Sequence, residues 1–270
     1  MVVQRNLSAI NTNRQMGVVT NALQKSTEKL SSGYKINRAA DDAAGLSISE
    51  KMRSQIRGLN KASDNAQDGI SLIQVAEGAL NETHSILQRM NELATQAAND
   101  TNTSVDRQSI KDEIKQLNEE LDRISSTTQF NKQDLLTGGF SGKLQVGALE
   151  GQTMDVKISL AVSAKGLKVS AVEVSTNAKA GAAMQSIQDA IESVSKQRSK
   201  LGAIQNRLEH TINNLDTNAE NTQAAESRIR DTDMADEMVQ YSKNNILSQA
   251  GQSMLAQANQ QTQGVLSLLG

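Results

Sequence analysis

The stretch KNNILSQAGQSMLAQANQQTQGVLSLLG, residues 243–270, decides the fold, because it is apolar enough to need partners and has no charge after Lys243. Its apolar side chains recur at helical spacing, which predicts one helix with a broad apolar stripe. Nine Asn and Gln side chains share the stretch, whereas a membrane span would need about 20 predominantly apolar residues. We therefore expect the stripe to pack on other helices. It comprises Ile246, Leu247, Ala250, Met254, Leu255, Ala258, Val265, Leu266, Leu268 and Leu269.

The beginning of the chain is similar to its end, being helical in pattern and poor in charge. Residues 3–31 carry two apolar stripes at helical spacing and only five charged side chains. Asp233 predicts an N-cap for the last helix, because Asp236 and Glu237 follow in the first turn, where the helix dipole favours acidic side chains. The first N-terminal stripe is Val3, Leu7 and Ile10, and the second is Met16, Val19, Leu23 and Leu30.

The composition of the 270-residue chain favours long helices and excludes several classes of protein. Pro, Cys and Trp are absent, so helices can run uninterrupted, and disulfides and thiolate metal sites are excluded. The net charge of −2 argues against nucleic acid as a partner. The N-terminus lacks the apolar run of a secretory signal, and no membrane segment is predicted. With only four aromatic residues, the core must be aliphatic, which suits helical bundles.

A heptad repeat from about residue 43 to 99 predicts a coiled-coil helix. With Met52 at position a, every seventh residue after it is apolar. We assign the residues four places later to position d; they are mixed, so we expect a seam that is continuous on one side only. Gly58, Gly69 and Gly78 each weaken the helix by about 1 kcal/mol, unless they allow close helix approach. The a positions are Met52, Leu59, Ala66, Ile73, Leu80, Leu87 and Ala94, and the assigned d positions are Ile56, Ser63, Ile70, Glu77, His84 and Asn91.

Two further helices and a hairpin complete the pattern. A helix capped by Thr103 or Ser104 has apolar residues at 4, 3, 4, 3 spacing, and residues 182–230 repeat the heptad. Between these helices the period changes to two around a turn at Glu150 and Gly151, which predicts a β-hairpin. Residues 159–180 are ambiguous, and an extra strand at 167–174 stays open. The helix carries Ile110, Ile114, Leu117, Leu121 and Ile124; the hairpin carries Leu144, Val146 and Ala148, then Met154, Val156 and Ile158.

These elements predict a mainly α fold: a long coiled-coil helical bundle, shaped as a rod, with one β-hairpin and paired N- and C-terminal helices. There is room for one bundle core and none for a globular catalytic domain. The predicted segments are an N-terminal helix (1–33), a linker (34–43), core helices with the hairpin (44–158), a short variable connection (159–180), a long core helix (181–230) and a C-terminal helix (231–270).

No cluster of residues predicts catalysis, a metal or a cofactor. The only histidines, His84 and His210, lack metal-ligand spacing, and His84 is expected to be partly buried. Asp41 and Asp42 fit helix caps better than a cation site. No zinc-protease, nucleophile-elbow or phosphate-loop motif occurs, so we expect no enzyme and no cofactor. The charged residues around Arg89 fit either a solvated face or a recognition surface.

Several long motifs resemble those of bacterial flagellin and occur in the same order. The resemblance covers nearly everything except residues 159–180. The large variable outer domains that usually follow the hairpin are missing, so the chain resembles a minimal flagellin. The motifs are KLSSGYKINRAADDAAGLSISEKMRSQIRGL from Lys29, QDGISLIQVAEGAL (67–80), LQRMNELATQAAN (87–99), LGAIQNRLEHTINNL (201–215), AAESRIRDTDMADEM (224–238) and NILSQAGQSMLAQANQQTQGVLSLLG (245–270).

The resemblance implies a structural subunit that polymerises into the extracellular flagellar filament for swimming. Its ends, 1–33 and 231–270, are then expected to be unordered in the free subunit and to form the inner tube among identical copies. The family is exported through the flagellar type III apparatus, with an export chaperone on the C-terminal helix and hook-associated cap and junction proteins as neighbours. The alternative is a hook–filament junction or cap adaptor, which polymerises little. The implied polymerisation residues are Leu7, Ile10, Val19, Leu23, Leu247, Met254, Leu255, Val265, Leu266 and Leu269.

The resemblance also implies a ligand of the host's flagellin-sensing Toll-like receptor. Arg89 and Leu93, one helical turn apart, match the family's receptor motif by position, and Glu113 matches its acidic member. Leu87 and Gln88 lie in the same motif. The motif predicts binding and says nothing about the strength of signalling.

Overall fold

The computed structural model describes residues 6–267, with side chains as far as Gln261. Within that range the chain forms five helices and four short strands, which confirms the predicted mainly helical fold with paired terminal helices. None of the described helices is long and apolar enough to cross a membrane. The elements are α1 (Leu7–Ser32), α2 (Ala43–Ala97), α3 (Ser104–Thr127), β1 (Gln129–Phe130), β2 (Gln133–Asp134), β3 (Phe140–Gln145), β4 (Thr153–Ile158), α4 (Asn177–Arg230) and α5 (Met234–Ser267).

The chain divides into two compact units. The terminal unit consists of Met1–Ser54 and Asn221–Gly270, and the core unit is Gln55–Glu220. The predicted linker at 34–43 follows the end of α1 at Ser32 and lies within the terminal unit, as do the residues between the end of α4 at Arg230 and the start of α5.

The core unit is organised around the heptad seam of α2. The predicted a positions from Leu59 to Ala94 are all buried, as expected. The assignment of position d was wrong, because the second buried row lies three residues after each a position, not four. That row consists of Ala62, Gly69, Ala76, Thr83, Met90 and Ala97. Both rows of the seam are therefore continuous. The a row consists mostly of large side chains, and the second row mostly of small ones.

The long helices of the core unit pack in an antiparallel manner. The Ser63 hydroxyl donates to Asp216 Oδ1 at 3.0 Å, whereas Glu77 pairs with Arg198 at 3.7 Å, further along α2 and earlier in α4. The Asn177 side chain, at the start of α4, donates to the carbonyl of residue 98. Leu59 and Leu215 belong to one small apolar cluster. The buried heptad residues of α4, which include Ile187, Val194, Leu201 and Leu208, therefore share one core with the buried a positions of α2.

Thr103, one of the two predicted caps, is the N-cap of α3 and forms a capping box with Asp106. The Thr103 side chain accepts a hydrogen bond from the Asp106 amide, and Asp106 accepts one from the Thr103 amide at 2.9 Å. The Thr103 amide also holds the pKa of Asp106 below its ordinary value. Ile110, Ile114 and Leu121 are buried against the core. The polar start and the apolar stripe together specify this helix.

The predicted hairpin forms from β3 and β4, with Leu144 opposite Met154. Met154, Val156 and Ile158 are buried, so the alternating face packs on the helices. A second antiparallel pair, β1 with β2, was not predicted. Its turn has positive φ at Asn131 and Lys132 (48° and 62°), which is the geometry of a two-residue hairpin turn.

No strand forms at residues 167–174, so the extra strand considered there is absent and turns occupy the segment. Five apolar side chains anchor the connection to the core instead. The Ala164 amide donates to Asp122 on α3 at 2.8 Å. Glu173 bonds Lys179 and lies 3.8 Å from Lys111, and these two cations lower the pKa of Glu173, Lys179 more strongly. The anchoring residues are Val162, Ala164, Leu167, Val169 and Val174.

Of Gly58, Gly69 and Gly78 in α2, two allow close packing, but of the hairpin rather than of another helix. A Cβ at position 58 would lie 2.8 Å from the Ala148 Cβ and 3.3 Å from its Cα. At position 69 a Cβ would collide with the Leu144 side chain, whereas position 78 has nothing within 4 Å. Gly58 and Gly69 therefore seat the hairpin on α2, and Gly78 has no packing role in the described structure.

We expect Gly58→Ala to lower the free energy of unfolding by about 1–3 kcal/mol, because the rigid Ala148 must move to admit the methyl group. Gly78→Ala is the matched control and should raise the free energy of unfolding by up to about 1 kcal/mol, since alanine is the better helix former. Urea unfolding followed by far-ultraviolet circular dichroism measures both. Equal effects of the two substitutions would contradict the close packing of the hairpin on α2 at Gly58.

Candidate assembly surface

The terminal unit is built on an antiparallel pair of helices, α1 and α5. At one end the Asn6 side-chain amide donates to the Ala258 carbonyl at 2.8 Å, while its oxygen caps α1 by accepting from Ala9. At the other end Lys29 Nζ lies 3.4 Å from Glu237 Oε2. The two ends of the chain are thus bonded to each other within one subunit.

The contact between α1 and α5 follows a heptad spacing on both helices. Buried and half-buried positions recur at intervals of three and four residues, which is the pattern of a coiled-coil seam. The seam of α5 is polar and small, and the Cβ position at Gly251 lies only 3.7 Å from Met16 Cγ. The α1 seam is Ala9, Thr12, Met16, Val19, Leu23, Ser26 and Leu30; the α5 seam is Glu237, Tyr241, Asn244, Ser248, Gly251, Leu255 and Ala258.

The outward faces of the same two helices carry large apolar side chains in contact with water. Leu7 is 70% exposed and Ile10 60% on α1, while Ile246 is 67% exposed on α5. At 100° per residue these side chains lie on the sides of α1 and α5 opposite their seams. An apolar surface of this extent normally marks a site of association. We call the exposed large apolar side chains of both helices, whether opposite a seam or beside it, the outer apolar surface: Leu7, Ile10, Val18, Met234, Met238, Val239, Ile246, Leu247 and Met254.

The structure separates the predicted polymerisation residues into two groups. Leu7, Ile10, Leu247 and Met254 lie on the outer apolar surface. Val19, Leu23 and Leu255 lie in the seam between α1 and α5 and are half-buried. The single broad stripe predicted for α5 was therefore wrong: its residues divide between two faces of the helix. Val265 and Leu266 lie beyond the described side chains, and Val3, Leu268 and Leu269 lie outside the described residues.

The caps predicted at Asp233 and Asp42 are confirmed, whereas Asp41 bonds to the turn before α2 and caps no helix. Asp233 Oδ1 accepts from the amides of Ala235 and Asp236, at 2.8 and 3.3 Å, and so begins α5. Asp42 accepts from the Gly45 amide at 2.9 Å near the start of α2. Asp41 accepts from the Arg38 amide at 3.0 Å, and this bond is the main cause of its lowered pKa.

A small joint links the segments that leave α1 and enter α5. The Thr232 amide donates to the Gly33 carbonyl at 3.0 Å, and the Lys35 amide donates to the Arg230 carbonyl at 2.6 Å. The Arg230 guanidinium lies over the Tyr34 ring, 4.7 Å from its centroid. Its Nη1 also donates to Glu50 at 2.8 Å. Arg230 therefore fastens both segments to the first turns of α2.

Arg230→Ala should weaken this joint, because it removes a charged hydrogen bond and a cation–π contact. We expect the amide protection of Lys35 and Thr232 against hydrogen exchange to fall by about tenfold or more, given the usual strength of such contacts. Exchange measured by nuclear magnetic resonance tests this, with the exposed Arg228→Ala as control. Unchanged protection in Arg230→Ala would show that the backbone pairing holds without the side chain.

The predicted receptor residues are partly accessible in the core unit. Arg89 donates from Nε to Glu113 Oε1 at 3.0 Å, and from Nη1 to Glu92 at 3.3 Å. The hydrogen bond that Arg89 donates to Glu113 is the main reason that the pKa of Arg89 is raised. Gln88 is also exposed. We call Gln88, Arg89 and Glu113 the charged patch.

Leu87 and Leu93 do not belong to an accessible surface. Leu87 is fully buried and Leu93 is 2% exposed, because both are packed in the core beneath α2. The prediction of these two leucines as contact residues therefore needs correction. They would affect binding of a partner only indirectly, by holding the helix that carries the charged patch in place.

The histidines provide no sign of a metal site. His84 is half-buried and its Nε2 lies 3.0 Å from the Gln88 amide nitrogen, as expected for a structural side chain. Among the residues that the structure describes, no group of three or more His, Asp and Glu is placed to hold a metal ion.

Comparisons with known proteins match both halves of the chain. Residues 3–141 match the bacterial flagellin N-terminal helical region, and residues 184–269 match the bacterial flagellin C-terminal helical region. The flagellin of Halalkalibacterium halodurans is 56% identical and that of Bacillus subtilis 51%, each alignment covering all of both chains. The crystal structure of Bacillus cereus flagellin is 34% identical, with a TM-score of 0.51 over 60% of this chain and 94% of that one.

Proposed function

Because the chain belongs to the bacterial flagellin family and is a structural subunit of the flagellar filament, we propose that its outer apolar surface is where one subunit contacts the next. Membership of this family accounts for polymerisation. The residues that form the contact between subunits are inferred from their exposure and packing. The observation that carries the proposal is that α1 and α5 each have one face covered by the other and an opposite face that is apolar and exposed.

The free energy available on this surface is large compared with what a lone subunit can recover. Burial of one exposed Leu, Ile or Met side chain contributes roughly 1.5–3 kcal/mol. Leu7, Ile10, Ile246 and Met254 are each more than half exposed. A neighbouring copy brings the same surface, so identical subunits can cover one another without a second kind of partner. Residues 244–267 of α5 also contain no charge, so covering this part of the helix leaves no charge buried without a partner.

We expect Leu247→Glu to stop seeded filament growth while leaving the melting temperature of the free subunit nearly unchanged, because Leu247 is exposed and is not one of the seam residues of α5. Val105→Glu is the matched control, since Val105 is an exposed apolar residue on α3 in the core unit. Growth is measured by adding purified subunit to short filament seeds and following filament length by electron microscopy.

Normal growth of Leu247→Glu filaments would refute the proposed surface. A charge at Leu255 is a poorer test, since that side chain is half-buried in the seam and its replacement would also destabilise the free subunit.

The alternative of a junction or cap adaptor has less support. An adaptor would share terminal helices but would add few copies to a seed. The full-length relatives at 56% and 51% identity are flagellins, which supports the filament subunit. Indefinite growth on seeds separates the two functions.

We further propose that the charged patch is recognised by the host's flagellin-sensing Toll-like receptor. Support comes from the positions of Arg89 and Glu113, which match the family motif and are exposed. Their mutual ion pair at 2.9 Å orients the guanidinium before any partner arrives. Pre-orientation lowers the entropy lost on binding.

Arg89→Ala should weaken binding to the receptor's extracellular domain by about tenfold or more, as truncation of a central charged contact commonly does. Arg123→Ala is the control, because Arg123 is also exposed and also paired, with Glu120 on α3. Surface plasmon resonance on the free subunit compares the two. Equal affinities of Arg89→Ala and the unaltered protein would remove the patch from the recognition site.

The remaining partners are proposed from the family together with the exposed surface. We propose export through the flagellar type III apparatus to the cell exterior, with a chaperone covering α5 before assembly. A helix with six large exposed apolar side chains, from Met234 to Met254, needs such cover at high concentration. Hook-associated cap and junction proteins would meet the same surface at the two ends of the filament.

A further inference from the structure

Methionine is distributed unevenly between the inside and the surface of the described chain. Met234, Met238 and Met254 are 48%, 49% and 58% exposed, and all three lie on α5. Met90 and Met154 are buried in the core unit. Met16, Met52 and Met184 are half-buried. Every freely accessible methionine of residues 6–261 is therefore on the outer apolar surface.

Exposed methionine is open to oxidation by peroxides. The thioether sulfur attacks one peroxide oxygen, an S–O bond forms and the O–O bond breaks. With hydrogen peroxide the sulfur is oxidised by two electrons, the second oxygen leaves as water, and the product is methionine sulfoxide. This product is polar where the thioether was apolar. The chain contains no cysteine, so no thiol competes for the oxidant.

We propose that Met234, Met238 and Met254 form a peroxide-sensitive site at which sulfoxidation stops a subunit from joining the filament. This inference rests on the proposed function of the outer apolar surface. All three side chains are exposed on α5, as are those of Val239, Ile246 and Leu247, so a sulfoxide there must lose its hydration when a neighbour covers it. Burial of a polar group without a hydrogen-bond partner is costly, and three such groups act on one interface.

The oxidised subunit should keep its fold. None of the three methionines is among the buried or half-buried seam residues of α5: Met234 holds a seam position at the exposed start of the helix, and Met238 and Met254 lie beside the seam. The methionine of the facing seam, Met16, is half-buried. The modification therefore acts on association and spares the bonds that hold α1 to α5. Sulfoxide reductases restore methionine, so the block is reversible.

The test begins with the purified full-length subunit treated with hydrogen peroxide and mapped by peptide mass spectrometry. Sulfoxide should form at the three α5 methionines before it forms at Met90 and Met154. Seeded growth should then fall by about tenfold or more, since each buried unpaired polar group costs about a factor of ten in association. Treatment with methionine sulfoxide reductases should restore growth, and the melting temperature should stay nearly constant.

The matched control is the triple variant Met234→Leu, Met238→Leu and Met254→Leu, which keeps the apolar volume but cannot be oxidised at these positions. After the same peroxide treatment it should grow at its untreated rate. Should the triple variant not grow even when untreated, the three single leucine variants replace it, and each should retain part of its growth after peroxide.

Two results would overturn the inference: normal growth of subunits with sulfoxide at all three positions, or equal loss of growth in the leucine variants. The outcome for Leu247→Glu keeps this separate from the proposed function. If Leu247→Glu stops growth and the oxidised subunit grows normally, only the peroxide-sensitive site fails. If Leu247→Glu also grows normally, the outer apolar surface itself fails.

Discussion

The terminal unit depends on one constraint: α1 and α5 each have two faces suited to burial, but the chain supplies only one partner helix for each. Their seams cover one another, as the bonds from Asn6 to Ala258 and from Lys29 to Glu237 show. The opposite faces remain apolar and exposed. A lone subunit has no further helix to cover these faces, whereas a second copy can cover them with its own. Filament formation thus buries apolar surface that a single chain leaves exposed.

The core unit satisfies the same heptad pattern internally. Large side chains such as Ile73 and Leu80 fill one row of α2, and small ones such as Ala76 fill the other, so α2 can bury both rows. Gly58 and Gly69 extend this use of small residues by admitting the hairpin. The contrast explains how one chain combines a self-sufficient unit with a unit that needs neighbours. It also explains why the charged patch can be presented on a stable surface.

Much of this architecture could be predicted because it depends on local patterns. The a row of α2, the caps at Thr103 and Asp233, and the β3–β4 hairpin each follow from spacing or from turn chemistry. The second row of α2 was missed because Ala, Gly and Thr do not stand out as apolar, although they are buried. The pair β1–β2 was missed because two-residue strands have no measurable period.

The two faces of α5 could not be separated from the sequence, for a different reason. Apolar residues occur around most of this helix, so periodicity alone does not say which of them α1 covers. Leu255 and Met254 are neighbours, yet Leu255 lies in the seam and Met254 lies outside it. Likewise, the receptor motif identifies Arg89 and Glu113 by position, but only packing distinguishes them from the buried Leu87 and Leu93. Long-range contacts decide these cases.

The account is tested most directly by a helical reconstruction, from electron cryo-microscopy, of filaments grown from the purified chain. It predicts that Leu7 and Ile10 on α1, and Ile246 and Met254 on α5, contact neighbouring subunits. The seam between α1 and α5 should persist within each subunit. A filament in which these four side chains face solvent, while other surfaces hold the subunits together, would contradict the central claim.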